Sequence, residues 1–135
     1  MHLNRLIRCL SGLLVALAVG CGRGDGFVAS TGSVAFDGAP VATGAVSFHP
    51  LEQGTAPQGA QIVSGRFRIR TLPGRYRVEI VAGRPQAGGV ELTPGMPRLE
   101  QYIPERYNAA SVLEADVTPR GRNVFTFDLS SADAQ

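Results

Sequence analysis

From Thr31 onward, apolar residues recur at every second position in short runs, and each run stops at glycine or proline. Val34 and Phe36 alternate with Ser33, Ala35 and Asp37 before the turn residues Asp37-Gly38-Ala39-Pro40. Val46 and Phe48 alternate with Ala45, Ser47 and His49 up to Pro50, which has no amide hydrogen to give a neighbouring strand. Residues Leu51 to Ala60 hold Gly54, Pro57 and Gly59 without an apolar repeat and are expected as a loop. Ile62 and Val63 then lead into a tight turn at Ser64-Gly65. Phe67 and Ile69 follow, alternating with Arg66, Arg68 and Arg70. Thr71-Leu72-Pro73-Gly74 breaks the chain again, and Tyr76, Val78 and Ile80 alternate with Arg75, Arg77 and Glu79.

The period of two places successive side chains on opposite faces, so each run predicts a strand with one buried face. Residues 83 to 98 hold four Gly and three Pro and are expected to form neither helix nor sheet. Pro104 limits Leu99 to Ala110 to one helical turn. Val112 to Val117, a turn at Thr118-Pro119-Arg120-Gly121, and Val124 to Leu129 complete the pattern. Short strands with frequent turns exclude a helix bundle and predict an all-β fold, a seven-stranded antiparallel Greek-key β-sandwich. Its expected core is Val34, Phe36, Val46, Phe48, Phe67, Ile69, Tyr76, Val78, Ile80, Phe125, Phe127 and Leu129.

The first twenty residues follow different rules. His2, Arg5 and Arg8 precede an apolar run from Cys9 to Val19, about half the length of a membrane-spanning helix, which ends at Gly20 and Cys21. These are the parts of a secretory leader. The tract Leu17-Ala18-Val19-Gly20-Cys21 resembles the bacterial lipobox, with Ala18 at the place where that pattern prefers Leu. The resemblance implies cleavage before Cys21 and a diacylglyceryl group on its thiol. Cys9 and Cys21 are the two cysteines of the chain, so the mature chain has no internal disulfide to make.

Residues 1–20 are therefore read as a signal peptide, 21–30 as a lipidated tether, 31–130 as the sandwich and 131–135 as a flexible tail. The tether is Gly-rich, and its Arg23-Gly24-Asp25 triplet is too short a match to adhesive tripeptides to carry weight. The full chain carries 13 basic and 11 acidic residues; removing Arg5 and Arg8 with the leader leaves 11 of each. A near-neutral domain lacks the positive field that a nucleic-acid partner requires.

Three stretches resemble the carboxypeptidase regulatory-like domain: Gly32 to Val41, Ala45 to Pro50, and Gly65-Arg66-Phe67 continuing to Pro73-Gly74-Arg75-Tyr76-Arg77-Val78. The segment Ile103-Pro104-Glu105-Arg106-Tyr107-Asn108, followed by Ser111 and Leu113, is similar to a stretch recurring in small bacterial lipoproteins that carry this domain. The resemblance implies a transthyretin-like (prealbumin-like) sandwich and a non-catalytic module of the cell envelope. Its motifs are turn and strand punctuation, with Tyr76 filling the core while its hydroxyl reaches an edge backbone group.

Catalytic chemistry finds no candidate residues. Transthyretin-like hydrolases end in Tyr-Arg-Gly-Ser, whereas residues 130–135 read Ser-Ser-Ala-Asp-Ala-Gln. Intradiol dioxygenases hold iron with two Tyr and two His, but His2 leaves with the leader. His49 cannot build a metal site alone and is read as a solvated edge residue. Neither an enzyme nor a cofactor or metal is expected.

Arg66, Arg68 and Arg70 share one strand face, as do Arg75 and Arg77 on the next strand. If the two strands paired as a hairpin, like charges would oppose each other and destabilise the sheet. Either the strands belong to opposite sheets, or Glu79, Glu91, Glu100 or an anionic ligand neutralises the face. The expectation is thus a lipid-anchored, extracytoplasmic envelope module whose partners are the membrane, through Cys21, and an envelope protein or polysaccharide. The alternative is a soluble secreted or periplasmic carrier for a small or anionic ligand.

Overall fold

The computed structural model describes residues 24–88 and 93–132. The expected signal peptide, Cys21 and residues 133–135 of the expected tail lie outside the described residues. The strands are β1 (Val28–Phe36), β2 (Ala39–Pro40), β3 (Thr43–Pro50), β4 (Gln58–Val63), β5 (Arg66–Thr71), β6 (Gly74–Val81), β7 (Gly83–Pro85), β8 (Leu99–Gln101), β9 (Leu113–Val117) and β10 (Asn123–Leu129). A single 3-10 turn at Glu105–Tyr107 is the helical element of the described residues.

Seven longer strands follow one hydrogen-bonded path, β10-β1-β5-β4-β3-β6-β9, with β2 beside β1 and a separate β7-β8 ribbon. Between β4 and β5 the path holds by one registered pair, Val63 with Arg66. There the sheet curls over, so that β10, β1 and β5 face β4, β3, β6 and β9 across one core. The Phe48 ring of β3 bridges the two sides, 6.2 Å from Phe67 of β5 and 5.8 Å from Phe125 of β10, both edge to face. Edge-to-face packing aligns the ring edge of one partner with the π-face of the other.

The turn at Ser64 and Gly65 takes positive φ at both positions, 50° and 73°, as a two-residue hairpin between right-twisted strands requires. A Cβ at Gly65 would stand 2.7 Å from Pro40 Cβ, which excludes a larger residue. In β5, exposure alternates residue by residue, with Phe67, Ile69 and Thr71 inside and the arginines outside. Tyr76, Val78 and Ile80 of β6 are likewise buried, and the Tyr76 hydroxyl donates to the Leu72 carbonyl at 2.7 Å.

The structure differs from the expected pattern in several places. The sheet is not wholly antiparallel: β1 and β10 run parallel, from Ser30 with Asn123 to Phe36 with Leu129. The short 118–122 connection reverses the chain at the end from which β1 also starts, so both strands climb in the same direction. β1 begins at Val28, inside the expected tether, because Val28 and Ala29 pair with Thr71 and Arg70. β4 begins at Gln58 rather than after Ala60, drawn into register by Phe48. Phe36 and Phe125 are only half-buried, while Val41, Ile62 and Val117 join the core.

Candidate functional site

The strand directions give the domain two ends. One carries Gly24 to Phe27, the 51–57 loop and the turns at 72–73 and 118–122. The other, nine strand residues away along β1 and thus about 26 Å distant, carries residues 37–42 and 82–112.

At this far end the Gly/Pro-rich stretch 83–98, expected to lack sheet, supplies β7, which pairs with β8 just beyond it, with Gly83 opposite Gln101, Arg84 opposite Glu100 and Pro85 opposite Leu99. Side-chain and backbone bonds fasten the ribbon to the sheet. The Ala82 amide donates to Gln101 Oε1 at 2.9 Å, and the Tyr102 amide donates to the Ala82 carbonyl at 3.1 Å. Between ribbon and sheet lies a groove of about 510 Å³ lined by Phe36, Ala42, Thr43, Gly83, Arg84, Pro85, Leu99 and Tyr102.

The groove is chiefly apolar. Phe36 meets Tyr102 edge to face at 5.5 Å and forms its floor. Leu99 stands on the rim, 64% exposed, and the exposed Val81 lines an adjoining hollow with it. Arg84 lies over the Tyr102 ring at 5.6 Å and 3.6 Å from Glu100, so the mouth carries a neutralised pair rather than a net charge. The volume suits a small organic molecule, and the lining suits one with an apolar body.

The lining offers a threonine hydroxyl, Thr43, and a phenol, Tyr102. Among the described residues, no group of three or more His, Cys, Asp or Glu is placed to hold a metal ion. His49 lies near the opposite end, 3.3 Å from the Glu79 carboxylate that also receives Arg77 at 2.7 Å. It sits on β3 one residue before the end of the strand, between β4 and β6, with its side chain part-exposed.

The arginine stripe is divided by the fold. β5 and β6 are not neighbours, so their side chains do not face each other. Arg70 binds Asp25 at 3.0 Å, Arg75 binds Glu114 at 2.9 Å and Arg77 binds Glu79. Arg66 and Arg68 form no ion pair among the described residues. Cys21, the expected lipidation site, lies outside the described residues.

The Ile103 to Ser111 segment closes the far end. Asn108 Nδ2 donates to the carbonyls of Ile103 and Pro104 at 3.2 and 3.1 Å, and the Ser111 hydroxyl donates to the Val78 carbonyl. Arg106 donates to the carbonyls of Ser130 and Ala132, and Tyr107 Oη accepts from the Ser130 amide at 3.2 Å. Asp37 Oδ1 accepts from the Ser131 amide at 2.8 Å, and this bond holds its carboxyl below the ordinary 3.8. The Arg106 contact, then the Ser130 amide, lowers the Tyr107 phenol. The groove itself was not legible in the sequence: Phe36 reads as core, and Leu99 and Tyr102 follow a stretch that reads as loop. The available signal is the run of apolar and aromatic residues flanking so many glycines and prolines.

No protein-family model matches the chain, and no curated protein matches it. Among solved structures, it is similar to a 9R-lipoxygenase from Cyanothece PCC8801, at 14% identity and a TM-score of 0.38, over 78% of this chain and 16% of that one. At that score the likeness supports neither a fold assignment nor an activity.

Proposed function

We propose that the chain is a non-catalytic, lipid-anchored module of the cell envelope that is fastened at Cys21 and takes a small apolar ligand in the groove between the β7-β8 ribbon and the sheet. In this reading the curled sheet is a Greek-key sandwich of the transthyretin-like, carboxypeptidase regulatory-like kind. The observation that carries it is the placement of the groove, at the opposite end of β1 from the segment that follows Cys21. An anchor at one end leaves the binding surface at the other end facing away from the bilayer. The lipobox-like tract and the near-neutral mature composition support the same arrangement.

Two experiments test the two halves of this reading. Wild-type protein is expected in the detergent-soluble membrane fraction, with Cys21→Ser released from it; equal release of both refutes the anchor. The neutral fluorophore N-phenyl-1-naphthylamine is expected to brighten with wild-type protein and to lose affinity for Leu99→Asp, an exposed position whose replacement leaves the core intact. Unchanged binding by that variant refutes the groove. The groove also fits the alternative of a soluble carrier, which fractionation separates, because a carrier stays in the supernatant after lysis.

A further inference from the structure

We propose that the outer face of β5, β1 and β10 docks an acidic polysaccharide, with Arg66 and Arg68 gripping its anionic groups. This goes beyond the groove, and its choice of ligand rests on the envelope placement proposed above.

Three of the five stripe arginines are held by carboxylates, Arg70 by Asp25, Arg75 by Glu114 and Arg77 by Glu79. Arg66 and Arg68 point outward from β5 and have no such partner among the described residues. Their neighbours across the sheet are hydroxyls. Arg66 stands opposite Ser33, which stands opposite Thr126, and Arg68 stands opposite Thr31. Ser33 Oγ lies 3.5 Å from Thr126 Oγ1, so guanidinium and hydroxyl groups form a continuous row across three strands.

Between these side chains a concavity of about 330 Å³ is lined by Thr31, Gly32, Ser33, Arg66, Phe67 and Val124. Asp25 beside this face is already engaged by Arg70, and Asp128, exposed on β10 opposite Ala35, stands on the face two residues along from Thr126.

Residues two apart on a strand are separated by about 6.6 Å, so the two guanidiniums can meet successive anionic groups of an extended chain. Planar guanidinium pairs with carboxylate or sulfate through two parallel hydrogen bonds, and the hydroxyl row matches the hydroxyls of a sugar polymer. Nucleic acid fits poorly, because among the described residues the face offers no exposed aromatic ring on which bases stack: Phe27 lies under Arg70 and Phe67 is buried. A bilayer also fits poorly, since the face runs along the strands and Val124 is its only exposed large apolar residue among the described residues.

The test uses purified wild-type protein and two double variants, Arg66→Gln/Arg68→Gln and Arg75→Gln/Arg77→Gln, which remove the same charge from opposite sides. Binding to polygalacturonate is measured by calorimetry at low and raised salt, with dextran as the neutral control and phosphatidylglycerol vesicles as the lipid control. Wild type is expected to bind polygalacturonate and not dextran, with affinity falling as salt rises. Arg66→Gln/Arg68→Gln is expected to bind about tenfold more weakly, while Arg75→Gln/Arg77→Gln stays within about twofold. Equal losses in the two variants, absence of polysaccharide binding by wild type, or preference for the vesicles overturns the proposal. Because the assay is done in solution, failure of the lipid anchor leaves its outcome unchanged.

Discussion

Replacing Gly32 by alanine tests how tightly β1 is packed beneath the Phe67 ring of β5 and against the backbone of β10. Gly32 lies in the middle of β1, opposite Phe67 on one side and Phe125 on the other. A Cβ there would stand 2.4 Å from two ring carbons of Phe67 and 2.7 Å from the Phe125 carbonyl oxygen. The ring cannot swing freely, because it stacks on Phe127 at 6.2 Å and meets Phe48 at the same distance. The carbonyl belongs to the neighbouring strand, so no rotamer change relieves that contact. Overpacking of this kind costs about 1–3 kcal/mol, and the backbone contact places Gly32→Ala toward the upper figure.

Phe67→Ala alone is expected to cost about 3–5 kcal/mol as a large-to-small core change. In the double variant the added methyl enters space the ring has left, so the combined loss should fall short of the sum by about 1 kcal/mol or more. Urea unfolding of the wild type, both single variants and the double variant closes the cycle. Additivity within about 0.5 kcal/mol would refute the steric reading, since it would mean that the new methyl never meets the ring.

Three further outcomes follow from individual groups. Tyr76→Phe should lose about 1 kcal/mol in the same urea assay, because the Leu72 carbonyl is left without its donor. Thr71→Val should be neutral or stabilising by about 1 kcal/mol, because the Thr71 hydroxyl is buried without a hydrogen-bond partner among the described residues. Asp37 has a depressed carboxyl, so its bond to Ser131 is at full strength above the ordinary value of 3.8 and is lost as pH falls below it. Protection of the Ser131 amide, measured against its intrinsic exchange rate at each pH, should therefore fall in that acid range, and Asp37→Asn should remove the pH step.

The strands were legible where a buried face alternates with a polar one, as in Arg66 to Thr71 and Tyr76 to Ile80. They were missed where pairing supplies the reason for extension. Val28 to Ser30 has no alternating apolar pattern, yet β5 holds these residues in register. Gly83 to Pro85 reads as punctuation and becomes a strand only because Leu99 to Gln101 returns beside it. For the same reason the groove was not visible: its walls come from residues up to sixty-six positions apart, Phe36 and Tyr102 among them. The arginine stripe was legible as residues but not as a surface, because sheet order decides which charges meet.

The parallel pairing of β1 and β10 joins the earliest and latest strands of the described chain. Once released where the domain folds, β3, β4 and β6 can assemble from consecutive stretches of chain, but β1, already beside β5, gains its second long neighbour only when Asn123 to Leu129 has followed. A chain cut short before Asn123 would leave one side of β1 open to self-association. Contacts between such distant parts of a chain also slow refolding, which places this domain among those that reach their final form in milliseconds to seconds.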